Sequence, residues 1–324
     1  MPETKLGLDV FSLRSQGWTP FQHLDFCARW GVKVVHYSEV RLIGSLEPEH
    51  LRRVRAHADS LGIAIELGML SICPSSCIFD KTQGSAEEQI LRMLEPAHIL
   101  GSPFVRCVLG FYTDRQSDGG IEARIEDTLA VLKRVRSRVM DAGLKLAIEN
   151  HAGDLQAREL KGLLDAAGTD FVGACIDAGN AVWAIEDPHL TLDTLAPYAL
   201  TSHTRDSAVW PVPEGAAVAW TRMGEGNVGI DRYLNRFIEM CPGRTLMLEI
   251  IVPPEPRVMP YFDPAFWHAY RQTPAWEFAR FLRLAQCGTP YAIRGAKDAA
   301  TLEREDVEES LRWTINILAA TAAA

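Results

Sequence analysis

Four apolar segments of the chain each run into side chains of the kinds that bind metal ions. The segment LAIENH carries Glu149, ACIDAGN carries Asp177, LTSHTRD carries His203, and LMLEII carries Glu249. If each segment is a strand of one parallel barrel, the four side chains lie together at the C-terminal ends of the strands. Three carboxylates and one imidazole favour manganese, magnesium or cobalt over structural zinc, which prefers cysteine and histidine. The sequence therefore predicts a divalent-metal site, most simply one for Mn²⁺.

The alternation of side chains along these segments supports a common ring of ligands. Successive residues of a strand point to opposite faces, so an inward Glu149 sends Leu146 and Ile148 outward to be covered by helices. The segments of Asp177 and Glu249 follow the same alternation. The segment of His203 fits less well, because its polar neighbours also turn outward. The pattern predicts that three strands, and more weakly a fourth, point their ligands at one place.

A divalent ion with open coordination positions suits a particular chemistry on sugars. It can hold a carbonyl and an adjacent hydroxyl oxygen and stabilise the enediolate that forms when a carbon beside the carbonyl loses its proton. Glu149 and Glu249 come from strands separated around the ring, so each is a candidate base for one face of the substrate. His151 lies two residues after Glu149 and faces the same cavity. It either transfers a proton itself or supports the site through hydrogen bonds.

Five further side chains are candidates for binding a small-molecule carbohydrate substrate: Arg205, Asn180, Trp183, Trp210 and Arg106. The Arg205 guanidinium either clamps the substrate or forms a structural salt bridge with Asp177 or Asp206. The two tryptophans offer aromatic faces to a sugar ring or an aglycone, and the alternative is that they pack a lid.

The elements that position these residues alternate between short apolar strands and longer helical patterns, which is typical of parallel βα units. Strands are predicted at 5–11, 32–38, 63–70, 104–109, 145–151, 172–177, 200–205 and 245–251. Eight such units predict an α/β fold of the (β/α)8 TIM-barrel type over residues 1–290, with the candidate ligands on the face where barrel active sites are built. Long loops are expected after strands seven and eight (207–229 and 253–274), followed by a C-terminal helical extension, 291–324.

Composition and charge exclude several classes of function. The chain has 324 residues, 47% of them hydrophobic and 23% charged, as expected of a globular protein with a large core. Its net charge of −9 argues against a nucleic-acid partner. The sequence shows no signal peptide and no apolar run long enough to span a membrane, and its seven cysteines are scattered. These features predict a cytoplasmic protein without a membrane partner.

The motifs E-N-H, I-D-x-G-N, H-x-R-D and L-E-I at predicted strands five to eight resemble those of the xylose-isomerase-like superfamily of sugar phosphate isomerases and epimerases. The resemblance implies that Glu149, Asp177, His203 and Glu249 bind the metal. It also implies that the two glutamates exchange a substrate proton, as in the ketose 3-epimerases. Position 180 departs from the epimerase pattern, because it is Asn where those enzymes commonly have His.

The resemblance implies a divalent-metal-dependent sugar isomerase or epimerase of carbohydrate metabolism. The alternative is a lyase that acts by β-elimination on 3-keto-glycosides, such as the barrel subunit of a C-glycoside deglycosidase, whose base histidine His151 would match. A further alternative is a non-catalytic sugar-binding or partner subunit. Members of this family often associate, so a homo-oligomer or a hetero-oligomer with a small subunit is also expected.

Overall fold

The chain folds into a parallel barrel, described in a computed structural model over residues 4–292 and 298–323. Among these residues, eight parallel strands pair in chain order and the last returns to the first. This arrangement confirms the predicted (β/α)8 barrel. The barrel strands are β1 (Leu6–Asp9), β2 (Val34–Tyr37), β3 (Ala64–Ser71), β4 (Phe104–Val108), β5 (Lys145–Glu149), β6 (Val172–Asp177), β7 (Ala199–His203) and β10 (Leu246–Leu248).

Helices cover the outside of the barrel, and local sequence signals place their ends. The first helix begins with a capping box between Thr19 and Gln22, and Pro20 occupies its first turn. Residues 86–100 form two helices that meet at Met93, because Pro96 cannot donate to a carbonyl four residues earlier. The helices are α1 (Pro20–Arg29), α2 (Val40–Ile43), α3 (Pro48–Ser60), α4 (Ala86–Arg92), α5 (Leu94–Leu100), α6 (Gly120–Asp141), α7 (Ala157–Ala167), α8 (Ala178–Trp183), α9 (Pro188–Leu195), α10 (Ile230–Met240), α11 (Ala275–Cys287) and α12 (Ala299–Ala323).

The barrel closes between β7 and β10 through backbone contacts around Thr204. Its amide donates to the carbonyl of Met247 at 2.7 Å, and its carbonyl accepts from the amide of Glu249 at 3.1 Å. Thr204 and Leu248 form a parallel bridge. The closure therefore lies directly beside two of the predicted ligands.

A β-bulge interrupts β7 within the His203 segment, where the alternation is weak. The register between β6 and β7 shifts so that Leu200 has no opposite residue. After the bulge, the Thr201 hydroxyl donates to Glu66 across the barrel interior at 2.7 Å. His203, two residues further on, faces the same interior.

The two long loops contain more structure than the sequence predicts. Residues 207–229 hold an antiparallel hairpin of β8 (Asp206–Val212) and β9 (Gly215–Thr221), to which β11 (Arg257–Met259) adds a third strand. The sequence hides β9 because it is buried along its whole length and so lacks alternation of polar and apolar residues. Beyond β11 the chain crosses the mouth of the barrel, where Ala269 accepts a hydrogen bond from Arg115 at 3.0 Å.

The C-terminal helix α12 packs on the barrel. Val307 and Leu311 are fully buried in the main hydrophobic core, and Asp306 pairs with Arg222 at 2.8 Å. Residues 1–3, 293–297 and 324, which belong to the two predicted segments 1–290 and 291–324, lie outside the described residues. Across the part of the chain that is described, no helix combines the length and apolarity that a bilayer crossing requires.

Candidate metal centre

The structure brings the four predicted metal ligands together at the C-terminal end of the barrel. Glu149 ends β5, Asp177 ends β6, His203 ends β7, and Glu249 directly follows β10. One ligand atom from each lies within 4.8 Å of the other three, and all four side chains are buried. This is the spacing that a single ion with three carboxylate ligands and one imidazole ligand requires.

A buried imidazole nitrogen at the centre of the cluster shows that these residues fit a metal ion. The Nδ1 atom of His203 lies 2.9 Å from Glu149 Oε2 and 3.2 Å from Glu249 Oε2. It is buried, and neither carboxylate oxygen lies in the direction of a hydrogen bond from the ring. The lone pair of a neutral imidazole nitrogen beside two carboxylates is unfavourable without a cation or a proton between them. Coordination of a divalent cation would satisfy it together with the carboxylates around it.

The electrostatics of the cluster depend on ion pairing as well as burial. Burial opposes ionisation at His203, but the Glu149 and Glu249 carboxylates outweigh it and raise the pKa of His203 well above its usual value. Burial raises the pKa of Asp177 to about 7 even beside Arg205. At Glu249, Arg205 and His203 outweigh burial and lower the pKa to about 2. A metal ion would therefore compete with a proton on His203.

Two candidate substrate-binding residues hold Glu149. The Arg106 Nε atom donates to Glu149 Oε2 at 2.7 Å, and both side chains are almost completely buried. The Asn180 side-chain amide donates to the other carboxylate oxygen at 3.1 Å, while the Asn180 Oδ1 atom has no partner among the described residues. Glu149 is thus fixed in orientation from two sides, and Asn180 retains an acceptor that faces no protein donor.

Arg205 forms a salt bridge, which is one of the two roles predicted for it, and it does so with two carboxylates. One nitrogen of its guanidinium, Nη2, contacts both Asp177 and Glu249. Its Nε and Nη1 atoms are buried without partners in the described part of the chain. Arg205 therefore shares two carboxylates with the predicted metal and still offers two free donors to a bound molecule.

Comparison with known proteins agrees with this arrangement of barrel and ligands. Residues 24–269 match the family described as xylose isomerase-like TIM barrel, which is well over half of the chain. The chain belongs to the xylose isomerase-like TIM barrel family. The resemblance inferred from the strand-end motifs is thereby confirmed.

The proteins similar to this xylose isomerase-like barrel include a decarboxylase by sequence and an epimerase by structure. The chain is 26% identical over 185 residues to 3-oxo-isoapionate decarboxylase of Pectobacterium atrosepticum, and the match covers 57% of this chain and 60% of that protein. D-psicose 3-epimerase from Clostridium cellulolyticum H10 has a similar fold, with a TM-score of 0.65 at 12% identity and coverage of 97% and 99% of the two chains. The IOLI protein, solved with a bound zinc atom, has a TM-score of 0.63 at 14% identity and coverage of 98% and 99%.

The xylose isomerase-like barrel also contains a layer of polar residues beneath the ligands that the sequence reasoning missed. The Nε2 atom of His203 lies 2.8 Å from Nδ1 of His36 and 3.5 Å from a carboxylate oxygen of Asp9. Contacts of this kind fix the tautomer and orientation of a ligand histidine. Asp9 ends β1 and His36 lies in β2. Asp9 has the same strand-end position as the predicted ligands, whereas His36 lies one residue before the end of β2.

His151 is positioned as a neutral histidine beside the centre. Its Nδ1 atom lies 2.7 Å from the carbonyl oxygen of Gly110, so it donates and leaves Nε2 free to accept a proton. Burial lowers the pKa of His151 below its usual value, although Glu149 opposes the effect. Proton transfer by His151 stays a prediction, with a geometry that suits a base.

The structure separates the two tryptophans named as substrate-binding candidates. Trp183 stacks on Trp220, with ring centroids 4.2 Å apart and planes inclined by 13°. Trp210 lies in a different cluster, with Ala208, Ala217 and Ala219 of the hairpin. Trp183 thus forms part of an aromatic wall near the centre, whereas the described contacts of Trp210 are those of hairpin packing.

Replacing Arg205 with Met is expected to tighten binding of Mn²⁺ about tenfold. A guanidinium and a divalent cation on the same two carboxylates repel each other, and relief of about 1.4 kcal/mol of this repulsion corresponds to a tenfold change in affinity. Arg205→Lys keeps the positive charge and serves as the matched control. Isothermal titration calorimetry measures both affinities. Weaker metal binding by R205M would show instead that Arg205 holds Asp177 and Glu249 in place for the ion.

Proposed function

We propose that the chain is a divalent-metal-dependent enzyme that converts a sugar-derived carbonyl compound through an enediolate, most simply as an isomerase or epimerase. The observation that carries the proposal is the buried ring of Glu149, Asp177, His203 and Glu249, with its ligand atoms within 4.8 Å of one another. Membership of the xylose isomerase-like family supports the same chemistry. Mn²⁺ is the proposed metal, with Mg²⁺ or Co²⁺ as alternatives.

The side chains around the ring supply the remaining chemistry. Glu149, Asp177, His203 and Glu249 would hold the ion, and its positive charge would stabilise an enediolate. Glu149 and Glu249 approach from β5 and from the end of β10, and one of them accepts the proton from the carbon beside the carbonyl. The electron pair of that C–H bond forms a carbon–carbon double bond, and the π pair of the carbonyl passes to its oxygen. Return of a proton to the opposite face of the same carbon gives an epimer. Its return to the neighbouring carbon, together with transfer of the hydroxyl proton to the former carbonyl oxygen, gives an isomer.

A second candidate function is decarboxylation, in which CO₂ leaves the substrate in place of a proton. The arginines that pair with the two glutamates favour it. Glu149 pairs with Arg106 at 2.7 Å, and Glu249 pairs with Arg205. An arginine partner stabilises the ionised carboxylate and weakens it as a base. Decarboxylation of a 2-hydroxy-3-oxo sugar acid needs no such base, because the C–C bond to the carboxylate breaks, CO₂ leaves, and the electron pair of that bond forms the carbon–carbon double bond of an enediolate. A proton donor then completes the product.

The relative from Pectobacterium atrosepticum supports this second candidate, because its name is that of a 3-oxo acid decarboxylase. The expected β-elimination from a 3-keto-glycoside belongs to the same group of reactions. There an α proton is removed first, and the enediolate expels the aglycone. The candidates therefore share a centre and an intermediate, and they differ in which bond of the substrate breaks.

Proton NMR in deuterated water separates these reactions. The Mn²⁺-loaded protein is offered ketoses, inososes, 3-keto-glycosides and 3-oxo sugar acids, and metal is removed with a chelator before spectra are recorded. Deuterium beside the carbonyl of a rearranged sugar is expected for an isomerase or epimerase. Release of CO₂ or of an aglycone would assign the lyase. A protein that binds these sugars but catalyses neither exchange nor release would contradict the proposal and favour a sugar-binding or partner subunit.

A further inference from the structure

Loops from four parts of the barrel build a stack of aromatic and cationic side chains above the metal centre. The Cζ atom of Arg205 lies 4.3 Å from the ring of Trp220, which stacks on Trp183. On the far side, the Cζ atom of Arg257 lies 5.1 Å from the ring of Trp183 and 3.5 Å from that of Tyr112. Two stacked indoles therefore separate the Arg257 guanidinium from the arginine that contacts the ligands.

Arg257 differs from the other arginines near it in having no acidic partner. Arg115 makes two hydrogen bonds to Glu159, at 2.7 and 3.0 Å, and Arg271 lies 3.0 Å from Glu122. No carboxylate of a described residue lies within 4.0 Å of Arg257, whose one directed hydrogen bond runs to the carbonyl of Trp183 at 3.4 Å. Burial lowers its pKa below the usual value for arginine. A partly buried cation without a counter-ion is unfavourable unless a ligand supplies one.

The space next to Arg257 can accommodate such a ligand. Arg257 lines a cavity of about 790 Å³ together with Tyr112, Arg115 and His268. Asp118 and Asp263 also border this cavity, and the Asp263 carboxylate accepts a hydrogen bond from the amide of Ala265 at 2.9 Å. Arg257 and Tyr112 border this cavity and also contact the ring of Trp183, so a molecule there is close to the aromatic wall.

The stack and the centre below it also offer hydrogen-bond donors without acceptors. The Nε1 atom of Trp183 and the Nε and Nη1 atoms of Arg205 are buried and have no partner among the described residues. Arginine and indole nitrogens can only donate. A ligand that pairs with these donors is therefore one with many acceptors, such as the oxygens of a carboxylate, a phosphate or a polyol.

We propose that Arg257 binds an anionic group of the substrate, a carboxylate or a phosphate, and thereby selects an acidic sugar derivative over a neutral sugar. The inference rests on the proposed function, because it identifies the substrate class of the same site. Arg257 acts as a specificity-determining residue and takes no part in breaking bonds. Its position on β11, the strand that extends the hairpin, explains why a residue so far along the chain from β4 reaches the same cavity as Tyr112.

Calorimetric titration of the Mn²⁺-loaded protein with three unreactive open-chain probes tests the inference. D-Gluconate carries a carboxylate, D-glucitol 6-phosphate carries a phosphate, and D-glucitol is the neutral reference. We expect one of the anions to bind roughly 10- to 100-fold more tightly than glucitol, as one charge-assisted contact provides. The anion that binds more tightly identifies whether Arg257 binds a carboxylate or a phosphate. Arg257→Gln should abolish that preference without changing the affinity for glucitol, and Arg257→Lys should retain part of it.

Arg271→Gln is the matched control, because Arg271 borders the same cavity but is paired with Glu122. The control should keep the wild-type preference. An equal preference in R257Q and the wild type, or no preference in the wild type, would overturn the inference. An Arg257-dependent preference in a protein that transforms no substrate would uphold the inference and contradict the proposed function. If the protein transformed only neutral sugars, at a rate unchanged in R257Q, the proposed function would stand and the inference about Arg257 would be contradicted.

Discussion

Replacing Glu249 with Gln is expected to lower turnover by about three orders of magnitude or more, because it removes a metal ligand and a candidate base together. The carboxylate of Glu249 contacts Arg205 and lies 3.2 Å from His203 Nδ1. A neutral amide there also weakens the attraction for a divalent ion. The Mn²⁺ content after dialysis, the calorimetric affinity and the rate of the reaction found by NMR measure the three effects.

Glu66→Gln is the matched control for this substitution. Glu66 is also a buried carboxylate inside the barrel, held at 2.7 Å by each of Thr201 and Thr245, but it belongs to no group of candidate metal ligands among the described residues. Burial raises its pKa to about 7, so a neutral side chain is already accessible there. E66Q should bind the ion and retain activity. Full turnover by E249Q would rule out the assignment of Glu249 to the centre.

Replacing Arg106 with Met is expected to destabilise the metal-free protein by about 3–5 kcal/mol, the usual effect of removing one partner from a buried ion pair. The side chains of Arg106 and Glu149 are 3% and 0% exposed, so the remaining carboxylate cannot be solvated by water. A divalent ion on Glu149 offsets part of this penalty by binding only the folded state. The loss of stability should therefore be smaller in Mn²⁺ than in a chelator, as measured by urea unfolding.

Arg52→Met provides the comparison for a pair in solvent. Arg52 lies 2.9 Å from Glu49, but the two side chains are 62% and 80% exposed. Its loss should change the free energy of unfolding by no more than about 0.5 kcal/mol, with or without metal. If R106M were as stable as R52M in the chelator, Glu149 would not be held as a buried anion. The pairing argument for decarboxylation would then lose its basis.

The fold and the positions of the candidate ligands were predictable because both depend on local sequence. Short apolar runs separated by helical patterns specify βα units, and the strand ends of a parallel barrel converge wherever they lie in the chain. Glu149, Asp177, His203 and Glu249 could therefore be grouped without knowing any contact. The error over 207–229 arose because a hairpin buried on both faces resembles an irregular apolar loop, with Gly and Pro at its turns.

The partners of the site residues could not be predicted in this way. Arg106 binds Glu149, and Trp183 stacks on Trp220 and lies apart from Trp210. Such choices depend on the register of neighbouring strands and on loops that meet across the barrel mouth. A shift of one residue, as at Leu200, reverses the face to which a side chain points.

The sequence by itself determined the family, the barrel and the set of candidate ligands, since each follows from residue types at the ends of short segments. Only the tertiary structure decided which arginines pair with those ligands and which charged side chains have no ion-pair partner among the described residues. Arg205 forms ion pairs with two of the candidate ligands. Arg257, on β11, packs against the ring of Tyr112 and has no carboxylate partner among the described residues. Whether a cation is paired depends on every chain segment folded around it, and spacing along one segment carries no information about the others.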